Sequence, residues 1–247
     1  MPRLTSADLT GLLGKSAAVA YRVILLAQET VKGCTVFKYI SPPPLQERVA
    51  LTDFEKEIVE QALLIRENTK LPFWEAVFSA CIRKGQCTDA LLKATFFHNG
   101  QGLAVVCGRD DLESGVLERL VEGDSANVSL GSEILDRQNE SRHLMFLDFH
   151  CEVSEGNTRI VHQVCQNLMP EGFLVLDSGD SYHASTIKLV TPKERISMLG
   201  KALLASPIVD TTYIGHQLQQ ESSSIRISKG GKAKRYPVVI GTWCPAN

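Results

Sequence analysis

The chain has 247 residues, 26 of them Lys or Arg and 28 Asp or Glu, for a net charge of -2, with 44% hydrophobic and 22% charged positions. This balance excludes a disordered or fibrous chain, gives no global attraction to nucleic acid, and leaves enough length to bury a real core. The longest apolar run, around residues 17–27, is broken by Arg22 and falls short of the roughly 20 residues that span a bilayer, so no membrane segment is expected. Met1-Pro2-Arg3 leads into a polar segment, not an apolar signal core. The seven cysteines form no Cys-x-x-Cys pair, which favours reduced thiols and a cytoplasmic location over a disulfide framework or a zinc ribbon.

In chain order, the first half is expected to be helical. An apolar stretch over 16–31 precedes Pro42-Pro43-Pro44, a stiff linker. Thr52-Asp53-Phe54-Glu55 is a capping box opening a helix to about Arg66. Pro72 suits the first turn of another helix, and Thr88 caps a third. After Gly100 the pattern alternates. It predicts a strand over 103–107, a helix over 111–121, a strand over 142–151 and a helix over 159–168. Two strands over 173–176 and 182–190 follow, joined by the turn-rich Asp177-Ser178-Gly179-Asp180. Thr191-Pro192-Lys193-Glu194 starts a helix to about Ala205, and a last strand covers 225–228. The expected class is α/β (α+β). An N-terminal helical region over 1–100 joins a core over 101–247, whose order from residue 142 is that of a split βαβ, or ferredoxin-like, unit.

Three segments put polar chemistry at the ends of apolar runs. On a strand, Asp148, His150 and Glu152 face one side while Leu147, Phe149 and Cys151 face the other, giving a ligand row backed by core. Ser181 and His183 follow a turn. Asp210 comes later, and then Arg226, Ser228 and Lys229. A phosphoryl-transfer site needs hard oxygen ligands for magnesium or manganese and donors for a triphosphate. Asp148 and Asp210 are candidate metal carboxylates, completed by His150 or Glu152; Ser181, His183, Arg226, Ser228 and Lys229 are candidate phosphate donors. Lys232, Lys234 and Arg235 extend the cations into a basic strip suited to a nucleic-acid backbone.

These motifs resemble the archaeo-eukaryotic primase superfamily, including primase-polymerases. That group has an acidic pair two residues apart at a strand end, then Ser-x-His, then a hydrophobic residue with Asp, then Arg-x-Ser-x-Lys or a longer variant. The resemblance covers residues 142–235. It implies an RRM-like catalytic core in which Asp148 and Asp210 hold a divalent metal, Mn or Mg. Ser181 and His183 would bind nucleotide, and Arg226, Ser228 and Lys229 would clamp phosphate. It implies nucleoside triphosphates and a single-stranded template as partners and primer synthesis or extension as the activity; a protein partner is assigned to the N-terminal helical region. The chain departs from the pattern at His150, where the family has its second carboxylate; imidazole suits manganese or zinc better than magnesium. The alternative is a catalytically silent primase-like module that binds nucleotide or nucleic acid as a sensor or assembly component.

Each motif has a structural reading of its own. The Asp148, His150, Glu152 row also fits a solvated edge, Ser181 fits a turn, and Asp210 before Thr211-Thr212 fits a helix cap. Gly179-Asp180-Ser181 looks like an esterase nucleophile block, but Tyr213, not Asp, lies three residues before His216. Lys229-Gly230-Gly231-Lys232 is too short for a Walker A loop.

Overall fold

The computed structural model describes residues 4–39, 51–96, 102–122, 127–138, 140–229 and 235–245. Pro42-Pro43-Pro44, Gly100, Lys232 and Lys234 lie outside them. The chain forms two compact units, one from residues 1–41 and 102–247 and one from 42–101. No helix among the described residues is long and apolar enough to cross a membrane.

The larger unit opens with α1 (Ser6–Thr10) and α2 (Ala17–Ala27). Helix α2 is capped by Ser16, whose Oγ accepts from Val19 N, and it is apolar on nearly every side: Ala17, Ala20, Tyr21, Ile24 and Leu25 are all buried. The expected all-helical first half ends here, because β1 (Val31–Tyr39) follows and takes the central place in a sheet. Val31, Thr35 and Val36 favour a pleated chain, and the pairing is decided by partners far along the sequence. Cys34 pairs with Cys107 and Val36 with Leu130.

That sheet has the order β2 (Gly102–Gly108), β1, β3 (Asn127–Asp136), β4 (Ser141–His143), with β8 (Ser224–Arg226) beside β4 along the same edge of β3. All its pairs are antiparallel. Helices α6 (Arg109–Glu113) and α7 (Val116–Glu122) follow β2 and bury Leu112, Leu117 and Val121 with α2.

The second sheet runs β5 (Phe146–Asp148), β7 (Tyr182–Thr186), β6 (Phe173–Asp177), β9 (Val238–Trp243), again antiparallel. Helix α8 (Glu155–Leu168) lies between β5 and β6, α9 (Pro192–Leu203) follows β7, and α10 (Thr211–Gln219) precedes β8. One sheet face meets these helices through Leu147, Phe149, Val175, Ala184, Val161, Leu199 and Ile214. The other, with Phe146, Leu174 and Leu176, joins a core shared with α2 and with Val36, Leu130, Ile225 and Ile227 of the first sheet. Tyr21 packs edge-on against Phe146 at 5.8 Å.

The α+β class and the strand, helix, two strands, helix order are both present. Two details differ from expectation. The strand expected over 142–151 is split into β4 and β5, which belong to different sheets. The closing strand of the split βαβ, now β8, leaves this sheet for β3, while β9 takes the open edge of β6. Ile225 and Ile227 are buried by that move, and Ile227 N donates to Val128 O.

The smaller unit consists, among the described residues, of α3 (Asp53–Thr69), α4 (Phe73–Lys84) and α5 (Asp89–Phe96). The Thr52/Glu55 capping box is present; Lys70, at φ 60°, and Gly85, at φ 69°, end α3 and α4 in the left-handed region. Glu55 also accepts from Thr88 Oγ at 2.6 Å, tying the start of α3 to the residue before α5. Ile58, Ala62, Val77, Cys81 and Leu91 make its own core. The helical unit thus ends at residue 101, one past the expected boundary at 100, but begins only at 42, so residues 4–39 belong with the sheets and not with the helical region.

Candidate active site

Asp148 ends β5, directly opposite His183 of β7. Cross-strand partners share a sheet face, so both side chains stand on the face turned toward α2 and the first sheet. The chain then runs beside residues 208–210: His150 N donates to Ile208 O at 2.8 Å, Phe149 bridges Val209, and Asp210 N donates to Asp148 O at 2.8 Å. This pairing, not sequence proximity, puts the second carboxylate beside the first.

Asp210 serves twice. Its Oδ1 accepts from Tyr213 N at 2.8 Å as the cap of α10, and its Oδ2 lies 3.1 Å from His150 Nε2. Burial acts against its charge, but the His150 and Tyr213 hydrogen bonds prevail and hold its pKa below the usual carboxylate range. Asp148 has the opposite balance. Burial and the nearby Asp210 charge push it up to about 7, against weaker help from His150, Phe149 N and Arg226. Its Oδ1 is buried without a hydrogen bond, since His183 Nε2 stands off at 3.8 Å, although a third of the side chain stays open. His183 is driven down to about 3, first by burial and then by Arg226, so its imidazole is neutral. Its Nδ1 has no partner.

The turn between β6 and β7 closes the site from one side. Gly179 N donates to Asp177 Oδ1, Ser178 Oγ donates to Ser181 O, and Gly179 takes φ +115°, which suits glycine. Arg226, at the end of β8, reaches this turn from the other sheet and donates to Ser178 O and to Ser228 O at 2.7 Å. Arg235 grips it too, with Nη2 at 2.9 and 2.8 Å from the two Asp177 oxygens.

The structure therefore brings Asp148, His150, His183, Asp210 and Arg226 together, with Ser181 in the adjoining turn. It separates others. The strand ends at Asp148, so Glu152 sits in the exposed loop before α8 and not in a ligand row. Ser228 is fully buried and its Oγ accepts from Val128 N at 2.8 Å. Lys229 is exposed, with Nζ 5.1 Å from the centre of the Tyr236 ring. Sequence reasoning missed Asp177 and the Ser178 carbonyl, the anchors of the two arginines; a turn signature alone does not disclose what grips it.

A divalent cation beside Asp148 would offset the burial and the Asp210 charge that raise it and would satisfy its orphaned Oδ1, whereas both Asp210 oxygens already have partners in Tyr213 N and His150. Among the described residues no group of three or more His, Cys, Asp and Glu is arranged to hold a metal ion. The protein side of such a site would be at most two carboxylates, a number with which magnesium is held where substrate phosphates and water supply the rest.

A family model described as archaeo-eukaryotic primase 1D-like matches residues 109–238, more than half of the chain and all of this site. Comparison with curated proteins and with solved structures found no significant match.

Proposed function

The chain belongs to the archaeo-eukaryotic primase superfamily, and we propose that it is a metal-dependent nucleotidyltransferase of the primase-polymerase type, making or extending primers on a single-stranded template. The observation that carries this is the convergence of Asp148, Asp210, His183 and Arg226, from four separate segments, on one partly open site. Asp148 and Asp210 would hold the divalent ion, which when bound neutralises developing phosphate charge. Neutral His183 has one N–H for a phosphate oxygen, and Arg226 offers a planar charged donor beside the turn. Ser181 lies in that turn, and Lys229 and Arg235 provide further cations at its margin.

The test is metal-dependent incorporation of labelled nucleotide on a single-stranded template, with triphosphate and monophosphate binding measured in parallel. Arg226→Ala should weaken triphosphate binding more than monophosphate binding, by about 1.5 to 3 kcal/mol for the lost charge-assisted contacts. Equal losses for the two ligands would remove Arg226 from the phosphate site. Asp148→Ala and Asp210→Ala should each abolish the metal response; retention of it in both variants would refute the metal assignment.

A second reading, a silent nucleotide-binding module, is favoured by His150, whose ring occupies Asp210 Oδ2 at 3.1 Å where the family has a carboxylate. His150→Asp separates the two. Increased magnesium-dependent incorporation would mean that the native chain is a binder, whereas unchanged or lower incorporation with a shift from manganese toward magnesium would mean that His150 is a working ligand.

A further inference from the structure

The face of the five-stranded sheet turned away from the core carries two aromatic rings that the site above leaves unused. Along β1 the side chains alternate, with Cys34 and Val36 entering the core and Thr35, Phe37 and Tyr39 on the other face. Phe37 pairs with Ala104 of β2 on one side and Ser129 of β3 on the other, and Ser129 pairs with Arg226 of β8. Partners share a face, so Phe37, Ser129 and Arg226 form one row that runs across the sheet and ends at the candidate active site. Tyr39 stacks on Phe37 with centroids 6.0 Å apart and planes 29° apart, and its hydroxyl lies 3.3 Å from Ser224 Oγ in β8. The ring of Phe37 lies over Gly131, where a Cβ would come within 3.0 Å of its Cε2. Both rings are half-buried and, among the described residues, belong to none of the three core clusters, and beside them Ala104 and Val106 are exposed, Val106 by 72%.

We propose that this face binds the bases of a single-stranded nucleic acid, Phe37 and Tyr39 acting as the stacking platform. The inference rests on the template-dependent reading above and assigns the template a surface. Aromatic rings on an open sheet face stack bases without regard to sequence. The charge of Arg226, in register with Phe37 through Ser129, fits a phosphodiester backbone. The row is continuous with Arg226, so a strand lying on it leads toward the nucleotide site.

Fluorescence anisotropy on the full chain tests this, with a labelled oligothymidylate of about 16 nucleotides and an abasic oligomer of equal length. Labelled triphosphate binding is measured alongside. Phe37→Leu and Tyr39→Leu should each lower oligothymidylate affinity at least about fivefold, with little change for the abasic strand or the triphosphate; Phe37→Tyr should retain binding and guard against a folding defect. Equal losses for both strands, or none, would overturn the platform. A chain that binds triphosphate but no single strand refutes the platform alone. Base-dependent single-strand binding without any triphosphate binding refutes the nucleotidyltransferase reading and leaves the platform standing.

Discussion

Asp148 concentrates the electrostatic tension of the site. Its pKa is raised to about 7 by burial and by Asp210, from an ordinary value of 3.8. Between those values the folded chain binds more protons here than the unfolded one, so this group's contribution to stability falls as pH rises from about 4 to 7. His183, lowered from 6.5 to about 3 by burial and Arg226, works the other way: its contribution is complete above 6.5 and is lost as pH falls toward 3. The two oppose each other below 6.5, and above it only Asp148 still titrates. Asp148→Asn is therefore expected to gain stability relative to the native chain as pH goes from 5 to 8, measured by urea unfolding at each pH; a constant difference would contradict the burial and charge argument. Ser228 presents a different question, whether its hydroxyl serves packing or phosphate. Because it is buried on Val128 N, Ser228→Ala is expected to cost about 1 to 3 kcal/mol of stability for the orphaned donor and to spare triphosphate affinity. Loss of affinity without loss of stability would restore it to the clamp.

Among the elements, α9 follows most directly from its local sequence. Thr191 Oγ1 accepts from Glu194 N, Glu194 returns the bond to Thr191 N at 2.8 Å, and Pro192 holds the first turn. Thr191→Ala should cost about 0.5 to 2 kcal/mol, read by denaturant midpoint, while nucleotide binding is retained. Strand β9 depends instead on a close approach. A Cβ at Gly241 would fall 2.2 Å from His162 Nε2, and His162 packs against Phe173 at 5.2 Å. Gly241→Ala should force that ring aside and destabilise by about 1 to 3 kcal/mol. A neutral result would mean that α8 can move away from the sheet freely. Strands β1, β3 and β9 escape local reading for one reason. Each contains glycine and mixed polarity, and each is stabilised by partners far along the chain, as Val36 is by Leu130 and Val105.

At the scale of the molecule, the helical unit is inserted where β1 gives way to β2. Tyr39 and Gly102 are paired in register, so the chain leaves and returns at neighbouring positions of one antiparallel pair. Replacing residues 40–101 by a two-residue Asn-Gly turn is expected to leave the sheet unit folded and able to bind triphosphate, since such a turn matches the twist of a hairpin. Circular dichroism and nucleotide titration would check this. An unfolded product would show that the sheets need the helical unit, and a folded product that has lost single-strand binding would assign that unit a share in the template surface.

The sequence by itself determined those features that local chemistry enforces: the capped helices α3 and α9, the turn at Asp177-Ser178-Gly179, and the alternation that sends Leu147 and Phe149 into the core behind Asp148. It also contained the ordered motifs of the site: Asp148 and Asp210 each follow apolar residues, His183 follows the turn and Arg226 comes after Ile225. Only the tertiary structure decided which of the candidates meet. Glu152 falls on the expected ligand row and Ser228 stands at a family-like spacing, yet the end of β5 leaves the first in an exposed loop and the pairing of β8 with β3 buries the second. Spacing records distance along the chain, whereas a site is set by register between strands and by the competition of each polar atom for a backbone partner.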